Sequence, residues 1–206
     1  MDFLLPNFYQ ILRALEHGYY VIAKMGDDEH FRGIILVRRD SGIDSVDDLR
    51  GGSISYPAPT ALAATMMPQY FLHEHGLDVR AEVDNRYVGS QESAILNVFL
   101  GETDAGATWP PPWRALSEER PELAEALDVR WQTDPLPNNS VMAHERVDDE
   151  VARQVATLLD RLHRQPEGTP ILEPMELSRF ELADDDDYAP VVDFVHQFEQ
   201  RIGPVE

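Results

Sequence analysis

From Ser53 to Trp109 the chain alternates short apolar runs with helical patterns: 53–56, 61–75, 81–88, 91–100 and 104–109. Strands that pair in parallel need a long crossover, usually a helix. The alternation therefore predicts βα units and a largely parallel sheet. The first crossover begins at Pro57-Ala58-Pro59-Thr60-Ala61-Leu62-Ala63-Ala64, a tight turn from a strand into a helix start. A helix start carries unpaired N–H groups and a partial positive charge, which suits an anion. Most such turns bind nothing, so the turn alone assigns no function.

The flanking segments extend the pattern. Phe8, Ile11, Leu12 and Leu15 recur at helical spacing, and Gly18 ends that helix. Tyr19-Tyr20-Val21-Ile22-Ala23 and Gly33-Ile34-Ile35-Leu36-Val37 read as strands. Ser45-Val46-Asp47-Asp48 has the form of a capping box, with Asp in place of Glu, opening a short helix that Gly51 stops. Residues 127–131 and 140–143 read as further strands. Val151, Val155, Leu158, Leu159 and Leu162 define one amphipathic helix, and Val191, Val192, Val195, Phe198 and Ile202 a last one, with Asp184 to Asp187 placed to cap it. Polar extended segments at 38–41 and 135–139 are the expected crossings between two lobes. Residues 1–41 and 138–206 would form one lobe and residues 42–137 the other.

Composition excludes several classes. The 38 acidic residues against 17 basic ones leave a formal charge of −21, a poor surface for nucleic acid or anionic membranes. Lys24 is the single lysine. With no cysteine, disulfides, thiolate metal sites and cysteine nucleophiles are impossible. No apolar run approaches the roughly 20 residues that span a bilayer, and the start lacks the pattern of a signal peptide. No membrane insertion is expected.

The stretch Phe31-Arg32-Gly33-Ile34-Ile35-Leu36-Val37-Arg38-Arg39-Asp40-Ser41, followed by Asp47-Asp48-Leu49-Arg50-Gly51, resembles the phosphonate/phosphite-type substrate-binding proteins of ABC transporters. So do Tyr87-Val88-Gly89-Ser90-Gln91-Glu92-Ser93-Ala94-Ile95-Leu96 and Gly101-Glu102-Thr103-Asp104-Ala105-Gly106-Ala107. Trp131-Gln132-Thr133-Asp134-Pro135-Leu136-Pro137-Asn138-Asn139 and Pro166-Glu167-Gly168 complete the series, in order over nearly the whole chain. The resemblance implies an α/β, two-lobed periplasmic-binding-protein type 2 fold with mixed, mostly parallel sheets. It implies a small oxyanion such as phosphonate, phosphite or phosphate held between lobes that close by hinge motion. It also implies an ABC permease as partner, no cofactor, and a periplasmic or extracytoplasmic location. Against the family pattern the first lobe is expected to be incomplete, lacking an initial βαβα portion. An unpaired edge or apolar face would follow, which homo-oligomerisation would cover.

The resemblance nominates ligand-binding residues. The family's Ser- and Thr-rich loop at a helix start corresponds to 57–61. Thr60 keeps a hydroxyl and backbone groups at Ala61 and Leu62 could serve, while Pro59 lacks an N–H. Ser90 and Gln91 fall where the family often has Ser and His, so a pH-sensitive cation is replaced by a neutral amide. Asn139 stands where many members have Asp. Asn7 and Tyr9 match a first-lobe contact loop, Phe31 a position where Tyr lines the cleft, and Arg32 follows it. Trp109, in Trp109-Pro110-Pro111-Pro112-Trp113, reads either as part of a rigid surface turn or as an aromatic wall that contacts an organic substituent.

Other candidates point elsewhere. His73 and His75 lie two apart on a helix and face nearly opposite sides, so no metal is expected there. Asp184 to Asp187 lacks calcium-loop spacing. Gly89-Ser90-Gln91-Glu92-Ser93 is not a nucleophile elbow, and neither a GxGxxG nor a GK[ST] loop occurs. The expected function is the non-enzymatic solute-binding component of an ABC importer. The alternatives are a sensory or partner-docking module of the same fold, or an enzyme on the same scaffold like thiamine precursor synthases.

Overall fold

In the computed structural model, which describes residues 1–6 and 8–205, the chain begins with β1 (Phe3–Leu4), α1 (Phe8–Glu16), β2 (Tyr19–Met25), β3 (Ile34–Arg38) and β4 (Ser53–Tyr56). A π-helical turn, Leu62–Met66, then leads into α2 (Met67–Glu74). Next come β5 (Asp84–Tyr87), α3 (Gln91–Phe99), β6 (Ala105–Thr108), α4 (Pro110–Glu119), α5 (Pro121–Ala126) and β7 (Leu127–Gln132). The last part holds β8 (Ser140–His144), α6 (Asp149–Arg161), α7 (Thr169–Leu172), β9 (Phe180–Leu182) and α8 (Ala189–Arg201). Among the described residues no helix is long and apolar enough to cross a membrane.

Two compact units result. The first holds Met1–Glu29 and Leu136–Val195, the second His30–Pro135 and His196–Glu206. The crossing expected at 38–41 is therefore found ahead of β3, because β3 pairs on both sides within the second unit's sheet. The second division falls between Pro135 and Leu136, and a third lies inside α8, between Val195 and His196. Beyond it Tyr70 Oη donates to Gln197 Oε1 at 3.0 Å, and Arg201 pairs with Glu74.

Unit 1 is built on a four-stranded sheet in the order β1-β8-β2-β9. All its pairs are antiparallel. Ile22, Val141, Ala152, Ala156 and Phe180 pack between this sheet and α6. A bulge between Val21 and Ala23 disturbs the β2–β8 register. The Val21 N–H is taken by Asp185 Oδ1 at 2.8 Å. Asp184 and Asp187 close the same turn by accepting Asp186 N and Asp184 N at 3.0 and 2.9 Å. The acidic run thus supplies acceptors where the backbone is irregular.

Unit 2 holds a five-stranded sheet, β5-β4-β6-β3-β7. Its β4 is parallel to β5 and β6, whereas β3 is antiparallel to both β6 and β7. This sheet is mixed, as expected, but parallel pairing is confined to β5-β4-β6 and the sheet of unit 1 is antiparallel throughout, so the sheets are not mostly parallel. The reason lies in connectivity: β4, β5 and β6 follow one another through helical crossovers and lie side by side, whereas β3 enters between β6 and β7 in the opposite direction. In β3, Ile35 and Val37 enter one core with Ile54, Tyr56, Leu72 and Leu77, while Ile34 and Leu36 enter a second with Ile95, Val98 and Leu123. A run that is apolar at every position suits a strand covered on both faces.

The α3 face is packed closely. A Cβ at Gly106 would lie 2.5 Å from Val98 Cγ2, 2.6 Å from Ala94 O and 2.8 Å from Ser55 Oγ. Gly106→Ala is expected to cost about 1–3 kcal/mol through overpacking, read as a fall in the urea midpoint of unfolding.

Lys24, nearly buried, bridges Asp28 at 2.6 Å and Glu181 at 3.1 Å. Burial pulls its ammonium down, but the hydrogen bonds and charges of Asp28 and Glu181 outweigh this and hold it above the ordinary 10.5. Burial raises Glu181 while the hydrogen bonds of Lys24 and Arg179 lower it further, leaving its carboxyl below the ordinary 4.5. The raised lysine stabilises the fold fully below pH 10.5 and loses that contribution as pH rises through its folded value. The depressed glutamate contributes above pH 4.5 and loses it as pH falls through its folded value. Lys24→Met is expected to cost about 1–3 kcal/mol between those limits. The deficit should shrink outside them, as measured by urea unfolding across pH.

Candidate functional site

Parallel pairing sets where the chemistry collects. Tyr56 is in register with Tyr87, and Ser55 with Gly106, so β4, β5 and β6 end at the same edge of the sheet. Ile34 of β3 is in register with Thr108 on one side and Gln132 on the other. The entry to β3 at Phe31-Arg32-Gly33 and the exit from β7 at Thr133 therefore reach that edge too. Carboxyl ends of parallel strands, where chains turn into helices, are the usual ligand-binding edge of such sheets.

The turn after β4 is held from within. Ala61 N donates to Ala58 O at 3.1 Å, and Thr65 Oγ1 donates to the same carbonyl at 2.8 Å. The Ala61 N–H is thus spent on the turn, contrary to the expectation that it would serve a ligand. Both Thr65 N and Met66 N bond to Ala61 O, at 2.9 and 3.1 Å, which widens the first turn to a π turn. The amides of Leu62, Ala63 and Ala64 precede the first intrahelical bond and form the donor set of this helix head. Leu62 stays in the set, and Ala63 and Ala64 join it. Thr60, half-buried, stands at the mouth of the turn.

The turn after β5 is tied to the first. Val88 N donates to Tyr56 O at 2.8 Å and Gly89 N to Pro57 O at 2.9 Å, with Gly89 at φ +86°. Ser90 is the N-cap of α3: its Oγ accepts Ser93 N at 3.0 Å and gives its own proton to Ser93 Oγ at 2.8 Å. The Ser90 hydroxyl is therefore committed to the cap, leaving its main chain for any guest. Gln91, half-buried, accepts Thr108 Oγ1 on Oε1 at 2.7 Å. That bond orients the amide so that Nε2 carries the donor hydrogens away from Thr108.

The turn after β6 differs. Pro110, Pro111 and Pro112 are not a loop but the first residues of α4, with Trp109 as N-cap. Proline tolerates a helix start because the missing N–H would have no intrahelical partner there. The ring of Trp109 meets Phe31 edge to face, with centroids 5.7 Å apart. Phe31 is buried, and Trp109 half-buried. Gly33, two residues on, lies so near the π turn that a Cβ there would sit 2.6 Å from Ala63 O. Its N–H is held by Thr133 Oγ1 at 2.9 Å. Gly33 thereby seats the start of β3 against the π turn.

The edge gathers Phe31, Arg32, Thr60, Ala61, Leu62, Ser90, Gln91 and Trp109. Arg32 is half-buried and its N–H closes a turn on His30 O at 3.0 Å. Asn139 belongs to unit 1, where its carbonyl accepts Met25 N and its N–H donates to Asn138 Oδ1, at 2.9 and 2.8 Å. Its neighbour Asn138 is the buried one, bonded to Gly26 O, Asp28 and Tyr188. Asn7 and the Tyr9 side chain lie outside the described residues. Thr108, Thr65 and Thr133 were not nominated from sequence, since each acts by positioning a neighbour. His75 is engaged locally, its Nδ1 2.7 Å from Phe71 O, and among the described residues no group of three or more His, Asp or Glu is arranged to hold a metal.

The arrangement brings two helix heads, after β4 and β5, to one sheet edge, with the Phe31–Trp109 pair at the same edge. The fold is that of type 2 periplasmic binding proteins. Over residues 1–188 the chain matches, and belongs to, the family described as ABC transporter, phosphonate, periplasmic substrate-binding protein. It superposes on PhnD1 of Prochlorococcus marinus in complex with methylphosphonate with a TM-score of 0.83 at 18% identity, over 97% of this chain and 79% of that one. A binding protein component of a Pseudomonas aeruginosa ABC phosphonate transporter gives 0.78 at 17% identity, over 98% and 70%. The aliphatic sulphonate binding protein SsuA of Escherichia coli gives 0.66 at 16% identity, over 97% and 70%.

The cap assignment has a direct consequence. Ser90→Ala is expected to lower stability by about 1 kcal/mol through loss of the α3 cap, seen as a reduced melting temperature in the absence of any ligand.

Proposed function

We propose that the chain binds a small oxyanion, of the phosphonate, phosphite or phosphate class, and presents it to an ABC permease without transforming it. The observation that carries this reading is the pair of adjoining helix heads after β4 and β5. Leu62, Ala63 and Ala64 have no intrahelical acceptor at the first head, Thr60 belongs to the same turn, and Gln91 opens the helix at the second. Membership of a periplasmic substrate-binding family supports a transport role. Asn139, Asn7 and Tyr9 enter the proposal as further contacts that rest on the resemblance alone.

The mechanism is desolvation by prearranged dipoles. Donors fixed by the fold replace the hydration of the anion, and the positive ends of two helices favour its charge. Neutral donors suit a chain of net charge −21, because they need no buried cation with its own desolvation cost.

Titration with methylphosphonate, phosphite, phosphate and sulfate tests the reading. A ligand at 100 times its Kd should raise unfolding free energy by about 2.7 kcal/mol. Thr60→Ala and Gln91→Ala should each weaken binding by about 1–3 kcal/mol in calorimetry. A melting temperature unmoved by all four anions would refute the assignment.

A further inference from the structure

A cavity of about 310 Å³ lies within unit 2, bounded by the edge strand β5, by α2, and by the end of α8 with the segment after it. Part of its lining is polar. Gln69, only 6% exposed, gives its amide hydrogens to Tyr87 Oη at 3.2 Å and, weakly, to Asn85 Oδ1 at 3.5 Å. Asn85 is anchored in turn on Val79 O at 2.5 Å. Among the described residues nothing pairs with Gln69 Oε1 or takes the hydroxyl hydrogen of Tyr87. Tyr56, fully buried, sets its ring 5.9 Å from that of Tyr87 and leaves its own Oη unbonded. Much of the remaining lining is apolar, with Val79, Phe198 and Ile202. Arg80 is the one charged residue there. Its Nη2 donates to Pro204 O at 2.6 Å, and its guanidinium lies so near Gly203 that a Cβ would sit 2.9 Å from Cζ. Gly203 has φ +116°, a conformation that favours glycine. Arg50, Arg86 and Arg201 of the same unit are paired with carboxylates, whereas among the described residues none pairs with Arg80.

We propose that this cavity is a second binding site, for a small organic carboxylate that carries a hydroxyl group. A guanidinium already held by Pro204 and Gly203 loses little freedom on pairing, and its remaining N–H groups suit a carboxylate through charge-assisted hydrogen bonds. In a chain of net charge −21, a fixed cation with no carboxylate of its own gives the cavity its preference for an anion. The hydrocarbon body of the ligand is buried against Val79, Phe198 and Ile202. Its hydroxyl meets the polar part of the lining, giving a hydrogen to Gln69 Oε1 or accepting that of Tyr87. None of these residues belongs to the proposed oxyanion site, so the two readings stand or fall separately.

The test uses the full chain and calorimetric Kd values for benzoate, 3- and 4-hydroxybenzoate and the two matching hydroxybenzamides. At least one hydroxybenzoate should bind about tenfold more tightly than benzoate, and by a similar factor over its own amide. Arg80→Gln should lose the preference for carboxylate over amide. Gln69→Leu should lose the preference for hydroxybenzoate over benzoate while still binding benzoate. Tyr87→Phe, a change at a half-exposed ring that guards against misfolding of the buried variant, should reduce the same preference. Failure of all three carboxylates to give heat or to move the melting temperature would overturn the inference. Binding that is unchanged in both Arg80→Gln and Tyr87→Phe would overturn it too, as would displacement of bound hydroxybenzoate by methylphosphonate, which would place it at the other site.

Discussion

An amide at the head of a helix has no acceptor within that helix, and the site depends on where this chain leaves such amides. Parallel pairing of β4 with β5 and β6 brings three helix heads to one sheet edge. The first, widened by a π turn, leaves residues 62–64 without intrahelical acceptors, as a helix head does. The second is capped by its own serine. The third has proline at each of its first three positions. Three turns of the same topology therefore present three different chemistries, and the differences lie in a few side chains each.

Charge shapes the rest of the molecule differently. With −21 overall, the arginines are largely engaged by nearby carboxylates, as in Arg38 with Asp40, Arg86 with Asp84 and Arg146 with Asp2. These pairs are mostly exposed and contribute little individually. The exception is Lys24, drawn into unit 1 between Asp28 and Glu181, where it ties β2 to β9. A cation so engaged is not offered to a ligand. The acidic run 184–187 likewise does local structural work at the β2 bulge. In the proposed function the anion is held by dipoles that the fold aims, not by net attraction.

Much of this was legible in the amino acids. The βα alternation over 53–109, the helix start at 61–62, the Ser45 capping box and the amphipathic spacing of α6 follow from periodicity and capping chemistry, which act over a few residues. The nomination of Thr60, Gln91 and Phe31 rests instead on the family resemblance, and that of Trp109 on its place at the end of a predicted strand. Other features needed the folded chain. Pro110-Pro111-Pro112 read as a loop because proline stops helices, whereas at a first turn it starts one. Ser90 looked like a ligand donor, but its proton goes to Ser93, a pairing that exists only once α3 has formed.

The sequence by itself determined the βα alternation over 53–109, the amphipathic helices α6 and α8, and that no thiol chemistry is available, because these are local or covalent properties. Only the tertiary structure decided that β3 belongs with unit 2, that parallel pairing stops at β5-β4-β6, and that Phe31 meets Trp109. Those outcomes rest on contacts between residues tens of positions apart, where strand register and close packing choose among partners that periodicity leaves equivalent.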